Sequence, residues 1–392
     1  MSTPDLPPSF YQFEIYGKGL GGEKPLLPTT YEGLRARAEA ELSDAAYGYV
    51  AGGAGDERTM GANREAFDRV RLVPRMLGEV GVRDLSTTIL GTTLNAPILL
   101  GPVGVLSIVH PDGELAVARA ANAMGVTHVL SNAASSTIEG VAAATPDAPR
   151  WFQLYPPNDP EVRRSLVRRA EAAGNEAIVV TLDTLTMPWR PRDLQNAYLP
   201  FLLGEGIANY TSDPAFRAKL EKTPEEDPQG AVGMWAATFP NPGMTWDDLA
   251  ALRSETTLPL LVKGILHPDD ARRAVDLGID GIIVSNHGGR QVDGSVGALD
   301  QLPAVVDAVP DTVPVLVDSG VRTGSDVLKA LALGAKAVLV ARPWVWGLAL
   351  EGQAGVEQVV KSLLADLDLS LAMCGLASVA DVGPEAIVAR PS

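Results

Sequence analysis

A (β/α)8 barrel of the α/β class is the fold this sequence predicts, and three observations predict it. Eight short apolar runs recur between residues 96 and 342. Each is nearly continuous in Val, Ile and Leu, which marks a strand buried on both faces, as in a parallel sheet. Each run is followed by an amphipathic helical pattern, and eight such units are the number that closes a TIM barrel. An open doubly wound sheet is the alternative arrangement of the same elements.

The elements follow in order. Residues 1–30 are rich in Pro, Gly and Tyr and carry no clear period. Gly17, Gly19 and Gly22 satisfy G-x-G-x-x-G, but no apolar run precedes them and no helical pattern follows. They therefore lack the context of a dinucleotide site. Helices are expected near 31–42 and 44–51, the second stopped by Gly52 and Gly53. The apolar runs are 96–102, 128–132, 150–155, 177–183, 259–264, 281–286, 314–320 and 337–342. Helices are expected at 113–124, 159–173, 268–276 and 323–333. One connection breaks the rhythm. Residues 184–243, after the fourth run, form a long lid loop at the end of the barrel where barrel enzymes place their sites. Its charged, Pro-containing stretch 217–228 predicts mobility. The expected organisation is one domain over 1–392: an N-terminal helical extension (1–95), the barrel (96–352) with its lid, and C-terminal helices (353–392).

Composition limits the function classes. The chain has 48 acidic and 32 basic side chains, a net charge of −16. That balance argues against nucleic acid or an anionic membrane as partner. A single cysteine, Cys374, leaves no intrachain disulfide and no cysteine-based metal site. With four histidines and no HExxH, no metal is expected. The N-terminus MSTPDLPPSF lacks the basic and apolar parts of a signal peptide, and no apolar stretch reaches ~18 residues. A cytoplasmic protein is expected, in which the sequon at Asn209 has no role.

The polar residues at the strand ends carry the chemistry. Gln153 and Tyr155 end the third run; Thr181 and Asp183 end the fourth, with Arg190 beyond. Lys263 ends the fifth, and Ser285, His287 and Arg290 the sixth. Asp318 and Arg322 follow the seventh, and Arg342 the eighth. Side chains at the ends of different barrel strands converge on one mouth. His287 sits in SNHGGRQ, where Gly288 and Gly289 open a close-approach loop. Arg190 and Arg290 suit an anionic substrate, because the guanidinium fork bonds both oxygens of a carboxylate. The loops DSGVRTG and ARPW pair small residues with Arg322 and Arg342, as expected where barrels bind phosphate. His110 and His267 each precede Pro and read as loop residues.

SNHGGRQ (285–291) resembles the signature of the FMN-dependent α-hydroxy-acid oxidases and dehydrogenases. The resemblance runs from YGYVAGGAGDE (47–57) and NREAF (63–67) through FQLY (152–155), TLDT (181–184) and VKG (262–264). It continues in DSGVRTGSDVLKALALGA (318–335) and ARP (341–343). EIYGKGL (14–20), MPWRPRDL (187–194) and the long lid are most similar to the lactate 2-monooxygenase branch. The resemblance implies oxidation of a small 2-hydroxy acid through FMN with O2, with coupled decarboxylation or with release of H2O2. It also implies a homotetramer or homo-octamer. By the same resemblance His287 is the base, Asp183 its partner, and Tyr155 a hydroxyl near the reacting carbon. Tyr49, Arg190 and Arg290 would grip the substrate carboxylate, and Lys263 would stand beside the flavin N1. Pro102, Val103 and Gly104 would lie against the flavin. Ser131, Gln153, Thr181 and Ser285 would bond its ring and ribityl chain. Asp318, Ser319, Gly320, Arg322, Ala341 and Arg342 would hold the ribityl phosphate. Three departures from the family pattern are expected to shape the pocket: Gly104, leaving space over the flavin, and Pro156 and Leu185, each in place of an aromatic. A non-catalytic flavin-binding barrel is the alternative of another class, and it would need neither His287, Asp183 nor Arg290.

Overall fold

The computed structural model describes residues 6–389. Four helices precede the barrel: α1 (Tyr11–Gly19), α2 (Tyr31–Glu41), α3 (Asp44–Ala51) and α4 (Arg58–Arg69). Thr30 and Ser43 cap α2 and α3 by accepting the backbone N–H groups of Gly33 and Ala46. α1 lies in the stretch without a clear period, and it contains Gly17 and Gly19 of the glycine triplet. Three short strands follow, β1 (Val70–Leu72), β2 (Thr87–Ile89) and β3 (Thr92–Leu94).

The eight predicted runs each hold a strand: β4 (Ile98–Leu100), β5 (Thr127–Ser131), β6 (Arg150–Leu154), β7 (Ala177–Thr181), β8 (Leu260–Ile265), β9 (Gly281–Val284), β10 (Val315–Val317) and β11 (Ala337–Val340). They pair in parallel in chain order, and β11 closes on β4 with Val338 opposite Ile98. The barrel is therefore closed, and the open-sheet alternative falls. Helices α5 (Gly113–Met124), α6 (Ile138–Ala144) and α7 (Pro160–Ala172) follow the first three barrel strands.

After β7 the chain enters the expected lid. It is not a plain loop. It holds α8 (Pro191–Gln195), a 3-10 turn (Pro200–Leu203), α9 (Ala208–Thr211), α10 (Pro214–Arg217) and α11 (Pro228–Thr238). The stretch expected to be mobile carries ion pairs, one within it and two to the barrel. Arg217 pairs with Glu225 at 2.8 Å, and Lys219 pairs with Asp159 and Glu161 of the barrel at 2.8 and 2.9 Å. Asn209 of the sequon is fully buried, accepting from the Ile138 N–H at 2.8 Å, so burial removes it from any modifying enzyme.

α12 (Trp246–Arg253), α13 (Pro268–Asp276), α14 (Ala298–Val306), α15 (Gly324–Ala332) and α16 (Arg342–Met373) complete the ring. α16 breaks at Glu351–Gly352, where Gly352 has φ +56 and an added Cβ would meet the His110 ring at 2.7 Å. Inside the barrel, Leu99, Val129, Trp151, Val179, Leu261, Ile283 and Leu339 form a closed apolar core. The β2–β3 hairpin adds Ile89 and Leu94 to that same core, plugging the end opposite the mouth. A last strand, β12 (Ile387–Ala389), pairs antiparallel with β1. Among the described residues no helix is long and apolar enough to cross a membrane.

One buried side chain links the barrel to pH. His128 of β5 is buried, and burial pushes its imidazole down to about 4. The unfolded chain, with an ordinary imidazole, takes up a proton first as pH falls. His128 therefore leaves stability intact above about pH 6.5 and removes it progressively down to about pH 4. Replacing His128 by Leu is expected to flatten that fall by about 3 kcal/mol, measured as denaturant unfolding at pH 7 and pH 4.5. An unchanged difference between the two pH values would show that His128 does not carry this dependence.

Candidate active site

The mouth of the barrel is built from a belt of polar side chains at the strand ends. Ser131 donates to Gln153 Oε1 at 2.7 Å, and Gln153 Nε2 donates to Thr181 Oγ1 at 2.9 Å. Thr181 lies opposite Lys263 in the β7–β8 register. Lys263 Nζ donates to Ser285 Oγ at 2.9 Å and pairs with Asp318 at 3.1 Å. Burial works against the Lys263 charge, but Asp318 and Asp183 outweigh it, and its proton is held more firmly than in water. The β8–β9 register shifts between Lys263 and Ile265, with Gly264 at φ +103. A Cβ at Gly264 would meet Asp183 Cβ at 2.7 Å. The bulge therefore makes room for the carboxylate as well as placing the lysine.

Asp183 reaches His287 from the next loop. Its Oδ1 stands 2.7 Å from His287 Nδ1 and accepts from Thr184 Oγ1 at 3.0 Å. Gln291 donates in turn to the Thr184 hydroxyl. A carboxylate at Nδ1 fixes the proton there and leaves the Nε2 lone pair free. Nε2 lies 3.4 Å from the Tyr155 hydroxyl. Burial, with Lys263 and Arg290 beside it, lowers the affinity of His287 for a second proton, and Asp183 only partly opposes this. Burial would also protonate Asp183, but His287 and Lys263 keep it ionised below its usual range. The pair holds its charge on the carboxylate and offers a neutral base. Burial first, then Asp183, raises the Tyr155 hydroxyl, which stays protonated.

Arg190 and Arg290 flank the ring of Tyr49, their guanidinium carbons 5.1 and 5.3 Å from its centre. Arg290 Nη1 donates to the carbonyls of Tyr49 and Gly52, both at 2.7 Å. Burial, with Arg190 and Arg342 near, pushes Arg290 down to about 9, so it remains charged at neutral pH. Arg190 Nε is 3.0 Å from Asp193 Oδ2, yet neither atom is aligned for a hydrogen bond. Crowded cations with such partial pairing favour an added anion.

The second lobe lies over β10 and β11. Ser319 and Gly320 take positive φ of +74 and +105, and Ser319 Oγ accepts from Gly288 N at 2.9 Å. Arg322 pairs with Glu32 at 2.9 Å and lies 4.0 Å over Tyr31. Arg342 donates to Val50, Gly288 and Gly52 carbonyls at 3.0–3.1 Å. Both loops lead into helix N-termini, those of α15 and α16.

One cavity joins these parts. Its wall includes Tyr49, Pro102, Val103, Gly104, Tyr155, Arg190, Lys263, His287 and Arg290, and the phosphate-loop residues Asp318, Ser319, Gly320, Arg322, Ala341 and Arg342. Ser131, Gln153, Thr181, Asp183 and Ser285 are not among the wall residues; Asp183 and Ser285 bond His287 and Lys263, which are, and Ser131, Gln153 and Thr181 bond one another beside them. Sequence reasoning missed Tyr31, Asn63, Arg64 and Thr184, and the lid aromatics Phe201 and Phe239. Apolar residues within a charged lid were the available signal for the last two. Pro156 and Leu185 do not line the cavity. Their carbonyls instead hold Asn241 at the end of the lid, at 3.3 and 3.1 Å. Gly104 does not open space for a ligand: its Cβ would meet the Ala133 carbonyl at 2.6 Å.

The cavity runs without a break from Tyr49, Tyr155 and His287 at one end to Gly320, Arg322 and Arg342 at the other. A buried ammonium on the floor, two arginines and two helix N-termini around the second lobe suit a flavin that ends in one phosphate.

Comparison with known proteins agrees with that donor set. The FMN-dependent dehydrogenase family model matches residues 38–389. An FMN-dependent alpha-hydroxy acid dehydrogenase of Penicillium citrinum is 46% identical over 375 residues, 95% of this chain and 93% of its own. An L-lactate oxidase of Lysinibacillus sphaericus is 43% identical, covering 92% of this chain and 93% of its own. The crystal structure of a mandelate oxidase superposes with a TM-score of 0.81 at 39% identity, over 93% of this chain and 98% of that one.

The cation pair gives a direct test. Arg290→Lys is expected to weaken binding of oxalate, a small carboxylate probe, at least ~10-fold by calorimetry, because a point charge lacks the fork. Unchanged affinity would remove Arg290 from the anion site.

Proposed function

The chain belongs to the FMN-dependent α-hydroxy-acid dehydrogenase family, and from that premise we propose that it oxidises an L-2-hydroxy acid such as lactate with O2 at this mouth. The observation that carries the reading is the His287–Asp183 pair at 2.7 Å beside the Arg190–Arg290 pair. When bound, FMN would supply the two-electron acceptor for the α-hydrogen and the route of those electrons to O2. Arg290, Arg190 and Tyr49 bind the carboxylate and so fix which face of the α-carbon is presented. His287 Nε2 takes the proton of the substrate hydroxyl, and Asp183 stabilises the imidazolium so formed. The protonated Tyr155 hydroxyl, 3.4 Å from Nε2, holds the substrate oxygen in line. Lys263, charged and buried, would stand beside the flavin and favour its reduced, more negative state. Arg322, Arg342 and the Gly320 backbone hold the phosphate. Ser285 and Asp318 keep the Lys263 ammonium in place.

The fate of the 2-oxo acid is the finer part of the proposal. Coupled decarboxylation needs the 2-oxo acid and the reduced oxygen to share a closed cavity. A lid tied to the barrel by Lys219 and walled by Phe201 and Phe239 supports that retention. Release of 2-oxo acid and H2O2 is the second reading, and the oxidases among the relatives favour it. A cytoplasmic homotetramer or homo-octamer is also proposed. The exposed Phe13 and Tyr16 of α1 support association.

Mass spectrometry of the flavin released from the purified protein is expected to give FMN; FAD, or a colourless folded protein, would defeat the reading. His287→Ala is expected to keep FMN and lose ~10²–10⁴-fold in anaerobic flavin reduction by a 2-hydroxy acid. A parental rate would show that another group is the base. Under air, the shortened acid and CO2 with little H2O2 are the expected products. Stoichiometric 2-oxo acid and H2O2 would establish the oxidase outcome instead.

A further inference from the structure

The NREAF segment lies on α4, outside the barrel, and the chemistry above gives it no part. Its first residue, Asn63, is buried against the loop that carries His287. Asn63 Nδ2 donates to Asn286 Oδ1 at 2.8 Å, and Asn286 Nδ2 donates back to Asn63 Oδ1 at 2.7 Å. Backbone groups set both orientations. Gly289 N–H donates to Asn286 Oδ1 at 3.1 Å, and Asn286 Nδ2 donates to the Val296 carbonyl at 2.9 Å. Ala298 N–H donates to Asn63 Oδ1 at 3.0 Å. Neither amide can flip without losing a backbone partner, so the reciprocal pair has one arrangement.

The residue after Asn286 is the strained one. His287 has φ +58, followed by Gly288 at +65 and Gly289 at +77. Glycine takes this region freely, but a histidine there costs of order 1–3 kcal/mol and persists only where its surroundings impose it. Three clamps do so. Ser285 Oγ accepts the His287 N–H at 3.0 Å, Ser319 Oγ accepts the Gly288 N–H at 2.9 Å, and Asn63 holds Asn286. α4 also seats the turn directly: a Cβ on Gly289 would meet Met60 N at 2.7 Å.

We propose that Asn63 is a positioning residue for His287, acting through its amide pair with Asn286 to hold the left-handed turn that aims the imidazole. Without the pair, each amide atom of Asn286 keeps only its backbone partner and loses the hydrogen bond that ties it to α4, and the turn relaxes toward ordinary backbone. The proposal rests on the reading of His287 as the base.

Asn63→Ser removes the amide pair and leaves a hydroxyl for the Ala298 N–H. The rate of anaerobic flavin reduction at saturating 2-hydroxy acid is expected to fall roughly 10–100-fold, the scale of a small misplacement of a reacting group. KM is expected to change less than ~3-fold, and FMN to stay bound. Asn286→Ser should lose a similar amount, and the double variant no more than either single one. A second readout needs no turnover. The chain has only four histidines, so the His287 signal can be followed by NMR and assigned with His287→Gln. In Asn63→Ser it should titrate closer to an ordinary imidazole than in the parent. Parental rate and titration would overturn the proposal, as would multiplicative losses in the double variant. So would lost FMN affinity or raised KM with the titration unmoved, which would mark Asn63 as a ligand contact. If Asn63→Ser does not fold, Asn63→Asp replaces it; there the rate against KM and the double-variant comparison decide. A parent whose flavin no 2-hydroxy acid reduces defeats the functional reading alone, and the NMR arm still judges Asn63.

Discussion

The ammonium of Lys263 is the charge around which the mouth is arranged. An unpaired buried cation is prohibitively costly, so the ends of neighbouring strands must supply its partners. Asp318 and Ser285 do so directly, and Asp183 lies close enough for its charge to matter. The same cation keeps Asp183 ionised and His287 neutral, which is the protonation state a base requires. A change at Lys263 would therefore alter at once the pairing of three strand ends and the protonation of the dyad.

Much of this was legible in the sequence because its cause is local. Continuous Val/Ile/Leu runs fix strands, and the first polar residue after each run must face the rim. His287, Asp183, Lys263 and Arg290 were found that way, and the structure brings them together. Long-range causes stayed hidden. α1 shows no period because its exposed face is apolar, with Phe13 and Tyr16 turned outward. Asn63 and Arg64 belong to the NREAF motif, but their partners emerge only when the fold sets α4 against the loops after β9 and β10. Ser131, Gln153 and Thr181 were legible as strand-end polar residues, but the hydrogen bonds that join them into one chain were not.

The lid was read as a loop, but it holds short helices. Its prolines sit at the first turn of α8, α10 and α11, where the missing N–H is harmless. Phe201, Trp235 and Phe239 stack at 4.6 and 4.9 Å and close the wall beside Tyr155. The pocket thus recovers from the lid the aromatic surface that Pro156 and Leu185 do not supply. Those two positions contribute carbonyls, a role indifferent to their side chains.

The pairing of β1 with β12, Val70 opposite Ala389, joins segments more than 300 residues apart. The barrel seam makes a similar demand, since β4 waits for β11. Until the last strand leaves the ribosome, β4 presents an open edge and the β2–β3 plug has no complete wall to seat against. The nascent chain therefore completes its barrel only once β11 has been made. Removing β12 would likewise leave β1 without the strand it pairs with.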